Sequence, residues 1–232
     1  MKTRAVYFSA VVFAAIVLSA CAGTNSQAPE VSHDGLHLVD DTSFQSVYLK
    51  PGVDLSVYKK YGVTECQVAF RKNWLRDQNQ SRLQLTNRVT QKDMDRIKGT
   101  LGADCTQKFR DALTAAPAYE IVEEFTEGEE VLILEPNIIN LDVHAPQTNY
   151  PGIERTYTTS SGEMTLYLEL VDATTEEVLA RVVDRRKDPD DHRMTWTNSV
   201  TNKANADRIL NRWAGQLRDG LDRITNLPLE GS

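Results

Sequence analysis

The side chains that most often carry chemistry are scarce in this chain. Its 232 residues include four histidines and three cysteines. Gly-x-Ser-x-Gly, His-Glu-x-x-His and a glycine-rich phosphate loop are all absent. The local signatures of a serine hydrolase, a zincin and a nucleotide-binding enzyme are therefore missing. Cys-x-x-Cys is absent too, which removes the spacing of a dithiol redox site. Positive charge is in the minority, with 26 Lys and Arg against 33 Asp and Glu and a formal charge of −7. That balance argues against a nucleic-acid partner and against a membrane surface held by charge. Metal-ligand patterns are incomplete. His33 and His37 are four apart, but Gly35 lies between them and nothing predicts a helix there. Asp188-Pro189-Asp190-Asp191-His192 lacks the glycine and distal glutamate of an EF-hand and follows Arg185-Arg186-Lys187, so it reads as a charge-paired turn. No metal site and no cofactor are expected.

What is present begins at the N-terminus. Lys2 and Arg4 precede an apolar run from Ala5 to Ala20 that ends in Leu18-Ser19-Ala20-Cys21. The run is shorter than the ~20 residues a transmembrane helix needs, and small residues close it. The pattern resembles the lipobox of bacterial lipoproteins. It implies cleavage between Ala20 and Cys21, a diacylglycerol on the Cys21 thiol and a third acyl chain on its amine. Each buried methylene contributes ~0.8 kcal/mol, so two or three chains anchor a protein almost permanently. In Gram-negative sorting, Asp after the cysteine usually retains a lipoprotein in the inner membrane. Here that residue is Ala22, and the outer membrane is expected, with the domain facing the periplasm.

The expected organisation is a signal peptide over residues 1–20, a flexible tether over 21–45, a single domain over 46–227 and a short tail over 228–232. The tether is rich in Ser, Asp, Gly and Asn, with little periodicity. In the domain, Cys66, Val68 and Phe70 alternate as one face of a first strand. Thr90, with Asp93 three residues on, caps a helix whose apolar stripe runs through Met94, Ile97, Leu101, Cys105, Phe109 and Leu113 to Pro117. A long apolar run over 131–143 is interrupted by Pro136, which suggests a bulge or an edge. Residues 164–170 alternate as a half-buried strand, and 178–183 pair back on it as a hairpin. A last helix over 205–225 buries Ile209, Leu210, Trp213, Leu217 and Leu221 and leaves Arg218 and Asp222 outside. The expected fold is α+β: a mostly antiparallel sheet of four to five strands with two long helices packed on one face.

Several short motifs carry a family likeness. They are Pro51-Gly52-Val53-Asp54-Leu55-Ser56-Val57-Tyr58-Lys59-Lys60, a first strand followed by Trp74, Ala118-Tyr119-Glu120-Ile121-Val122, Leu134-Glu135-Pro136-Asn137-Ile138-Ile139-Asn140-Leu141 and Arg212-Trp213-Ala214. With the lipobox, they resemble the bacterial lipoproteins of domain-of-unknown-function family 3313. The resemblance implies an envelope lipoprotein with a compact α/β-type domain and brings no catalytic residues.

Candidate functional residues follow. With Cys21 lipidated, Cys66 and Cys105 allow one intramolecular pairing, strand to helix. A bridge would close a loop of roughly 40 residues, worth ~4 kcal/mol in the chain-entropy model. The alternative is two buried free thiols. The segment 146–162 is long for a hairpin loop, and Tyr150 and Tyr157 in it, with Trp196, form a candidate partner surface. The expected function is a non-enzymatic accessory or binding module for another envelope component, a protein or peptidoglycan. The alternative is a periplasmic hydrolase using His144 or His192. Thiol titration of unfolded, non-reduced mature protein separates the cysteine alternatives: the bridge predicts no free thiol, and two free thiols would remove it.

Overall fold

The structure is a computed structural model of the chain and describes residues 28–80, 82, 88–124, 129–145, 157–158, 162–187, 195–196 and 199–225. In order the elements are β1 (His37–Val39), β2 (Ser46–Leu49), β3 (Lys60–Val63), β4 (Gln67–Phe70), α1 (Trp74–Asn79), α2 (Gln91–Thr114) and β5 (Glu120–Ile121). Then follow β6 (Val131–Val143), β7 (Tyr157–Thr158), β8 (Gly162–Asp172), β9 (Val178–Lys187), β10 (Thr195–Trp196) and α3 (Ser199–Thr225). Eight strands form one sheet in the order β1-β2-β9-β8-β6-β3-β5, with β4 also beside β6. β7 and β10 form a separate two-stranded ribbon.

This corrects the expected sheet of four to five mostly antiparallel strands. β1–β2, β2–β9, β9–β8 and β8–β6 are antiparallel. β6–β3, β6–β4 and β3–β5 are parallel. A meander pairs consecutive strands antiparallel. Here α2 carries the chain back along its length, so β5 and β6 re-enter in the direction of β3. The described residues hold three α-helices, of which α2 and α3 are long, and a single 3₁₀ turn at Leu55–Val57.

Part of the expected tether also belongs to the sheet. Within residues 28–45, β1 forms an edge strand on β2, Val31 bridges to His37, and Leu36 is buried. A strand of three residues depends on its backbone ladder and leaves almost no hydrophobic period to read.

Alternation along the strands sorts the two sheet faces. Leu132, Leu134 and Ile138 of β6, with Leu166, Leu168 and Leu170 of β8, are buried in one cluster with Leu101, Cys105, Phe109 and Leu113 of α2 and Leu210, Trp213, Leu217 and Leu221 of α3. Asn140, at φ 53°, inserts a bulge in β6 and moves the buried register from Ile138 to Leu141. Thr90 and Asp93 make a reciprocal capping box that starts α2. The Trp213 indole donates to the buried Asp184 carboxylate at 2.7 Å, which fixes α3 on β9.

The break between β3 and β4 has a local cause. Thr64 N donates to the Leu134 carbonyl at 3.0 Å. In a regular parallel ladder the Thr64 carbonyl would next accept from position 136. That residue is Pro136, which has no N–H. The pairing stops, and it resumes at Gln67 opposite Asn137, one residue out of step. The interruption lies in the neighbouring strand line, while β6 itself runs unbroken through the sheet interior.

The polar residues of α3 hold a second departure. Arg218 and Asp222, expected outside, are buried. Arg218 Nε donates to both Asp222 oxygens at 2.8 and 2.9 Å. Its other nitrogens donate to the carbonyls of Ala112 at 2.9 Å, Ala115 at 3.1 Å and Pro117. Those carbonyls sit at and just past the C-terminal end of α2, where helix carbonyls lack partners and a cation is favoured. Tyr119 completes the cluster by donating to Asp222 at 2.6 Å, with its ring under the guanidinium. Arg218→Met leaves Asp222 buried without its cation and is expected to cost about 3–5 kcal/mol in urea unfolding. Arg212→Met, at an exposed position of the same helix, is expected to stay within about 0.5 kcal/mol.

Candidate functional site

The seam where α2 crosses the break between β3 and β4 gathers the most structure. Cys66, released from the strand ladder, turns toward the helix and joins Cys105 in a disulfide with Cα atoms 6.0 Å apart. Its backbone N–H donates to Thr106 Oγ at 2.9 Å, and that hydroxyl donates to the Gly102 carbonyl at 3.0 Å. Gly102 is required by proximity: a Cβ there would lie 2.7 Å from the Cys66 carbonyl oxygen. Arg110 reaches the Val63 carbonyl at 3.1 Å and pairs with Glu123. Beside this seam a cleft of about 720 Å³ runs between Glu65, Gln67 and Val68 on one wall and Lys98, Ala103 and Gln107 on the other.

A second polar assembly lies on the sheet face away from the helices. The Arg181 side chain is 7% exposed. It pairs with Asp34 through two bonds of 2.9 and 2.5 Å and with Glu169 at 2.7 Å. Its guanidinium also stands 5.5 Å from the Tyr167 ring centre. The Arg181 bonds, then the Ser32 hydroxyl, hold the Asp34 carboxyl far below the usual carboxylate range. Asp34 lies in the segment expected as tether, so this pair clasps the N-terminal segment to the sheet.

The expected site residues are placed as follows. Cys66 and Cys105 are bridged. Tyr157 and Trp196 are direct register partners in the β7–β10 ribbon. Tyr150, His192, Ala20, Cys21 and most of 146–162 lie outside the described residues. His144 follows the end of β6, where crowding by the protein and then the nearby Arg82 cation hold its pKa below the ordinary value, with Asp142 opposing. Asp142 is itself paired with Arg71 at 2.6 Å. Among the described residues no group of His, Cys, Asp and Glu is arranged to hold a metal ion, and no helix is long and apolar enough to cross a membrane. Neither the Arg181 clasp nor the open side of β4 is readable in the sequence. A lone acidic residue in a polar segment and a strand's missing neighbour leave no local pattern.

Comparison with known proteins places the chain in a family. The family model described as Protein of unknown function (DUF3313) matches residues 31–217, and the chain belongs to that family. None of the curated proteins matches it. Similar solved structures include a PelC dodecamer from Paraburkholderia phytofirmans, 12% identical with a TM-score of 0.36, covering 73% of this chain and 96% of that one. A variant PelC dodecamer from the same organism is 11% identical with a TM-score of 0.34, covering 74% and 95%. Protein XCC0632 from Xanthomonas campestris is 12% identical with a TM-score of 0.40, covering 77% and 91%. At such TM-scores the likeness is loose and nothing further rests on it.

The clasp makes a pH-dependent prediction. Asp34 has a depressed folded-state pKa, so its contribution is complete above its unfolded value of about 4 and is lost as pH falls below that. Asp34→Asn is expected to lower stability by about 1 kcal/mol at pH 7, since the carboxylate is partly exposed. The difference from wild type should shrink steadily below about pH 4 in urea titrations. A gap that stays constant from pH 7 to pH 2.5 would contradict the clasp.

Proposed function

We propose that this protein is a lipid-anchored component of the cell envelope. Acyl chains on Cys21 hold it to the outer membrane, and its domain faces the periplasm as a non-enzymatic binding module for another envelope component, a protein or peptidoglycan. One observation carries the reading: a buried disulfide closes the seam of a chain whose N-terminal apolar run ends in Leu18-Ser19-Ala20-Cys21, a lipobox-like stretch. Structural disulfides persist in oxidising compartments, and the periplasm is one. The family membership fits the reading without adding a role. The cleft along β4 supports binding, being within the usual 300–1,000 Å³ range of ligand sites at about 720 Å³.

The clasp limits the reach of the module. With the chain held from Glu30 onward, residues 22–29 span at most about 30 Å from the lipidated cysteine. The domain therefore works close to the bilayer, on the side where β1 leaves the sheet.

The test is the N-terminus itself. Mass spectrometry of protein from a Gram-negative cell should find Cys21 as the first residue, carrying three acyl chains. Cys21→Ser should carry no acyl chain and should no longer be cut before residue 21. An unmodified start, or a cut elsewhere with a bare thiol, would overturn the address.

A further inference from the structure

We propose that the outer edge of β4, with the facing side of α2, is a strand-addition site for an extended peptide segment of a partner protein. This rests on the binding-module reading above and names how the partner is held.

Among the described residues β1, β5 and β4 each have a side without a neighbouring strand, but β1 has three residues and β5 has two. β3 is covered by β5, and β1 is bordered by the bridge from Val31. β4 pairs with β6 on one side, and among the described residues no strand pairs with its other side. Which groups lie open follows from the ladder. Arg71 N donates to the Leu141 carbonyl at 3.1 Å, so the Arg71 N–H faces β6. By strand alternation, the N–H and C=O of Phe70, and of Val68 two residues back, face away from β6. Such a row of unsatisfied groups is a template for another extended chain.

The space beside the edge has the shape this needs. The cleft follows β4 on the side where α2 crosses it. At two positions the α2 wall is small: Ala103 is exposed, and nothing stands within 4 Å of where a Gly99 side chain would begin. A peptide backbone can therefore approach. Exposed Gln67 and Gln107 and half-buried Val68 line the cleft, a mixed surface suited to reading a strand through its backbone. α2 cannot swing in to fill the gap, because the disulfide and Gly102 hold it at Cys66. β4 has four residues, so the added strand would pair over about 13 Å.

The test uses a random nonapeptide library displayed on phage, panned against the full mature chain, with the best binder synthesised. Bound peptide should slow hydrogen exchange at the Val68 and Phe70 amides at least tenfold. Ala103→Trp, and separately Gln107→Trp, should each weaken binding at least tenfold while leaving the urea midpoint unchanged. No binder, protection mapped elsewhere, or undiminished affinity in both variants would overturn the site. In cells, a photo-crosslinking residue at position 107 should give a partner adduct that Ala103→Trp abolishes, and one at exposed position 219 should not. An adduct from 219 alone would overturn the β4 assignment and leave the binding reading standing. Adducts from neither would bring down both.

Discussion

A missing hydrogen-bond donor shapes this domain. Pro136 cannot continue the parallel ladder that ends at Thr64, so the strand line beside β6 breaks over residues 64–66. The break turns Cys66 toward α2, where the disulfide to Cys105, the Thr106 hydroxyl and the close fit at Gly102 all meet. Burying α2 against the sheet supplies the hydrophobic drive, and these contacts set where along the strands it sits. A helix pinned at that height leaves the outer edge of β4 beside an open cleft. The feature we assign to binding is thus a consequence of the feature that holds the fold.

The two ends of α2 are secured by different means. Its N-terminus is capped locally by Thr90 and Asp93. Its C-terminal carbonyls are capped from α3 by Arg218, about a hundred residues away, with Asp222 and Tyr119 fixing the guanidinium. Burial, then the neighbouring Asp222 carboxylate, pushes the Tyr119 hydroxyl well above the ordinary tyrosine range, so it remains a donor. The Asp34–Arg181 pair plays a comparable part at the other side of the sheet. There it joins the start of the described chain to β9.

Legibility in the sequence divides along these lines. The apolar stripes of α2 and α3, the capping box, the apolar run of β6, the alternation of β8 and the hairpin return of β9 are local patterns, and each can be read from residues a few positions apart. The parallel pairing cannot, because β3 and β6 are equally good strands in either direction and only the path of α2 decides between them. Pro136 was legible as an irregularity, but its effect falls on Thr64-Glu65-Cys66, in the neighbouring strand. Arg218 and Asp222 look like outward residues on a helical wheel, since the carbonyls they serve belong to a distant element. β1 and β2 are too short to show a period, and Asp34 gains its meaning from an arginine 147 residues away. Of the site, the cysteine pair was visible through elimination, whereas the open edge of β4 is defined by a neighbour that is absent.

Residue-resolved amide exchange on the oxidised, ligand-free protein tests the seam most directly. Protection should be high at Thr64, bonded to Leu134, and at Cys66, bonded to Thr106, and low at Glu65, Val68 and Phe70. Replacing Thr106 with Val should release the Cys66 amide and leave Thr64 protected. Uniform protection from residue 60 through residue 70, unaffected by that replacement, would describe one continuous strand and contradict this account of how α2 is held.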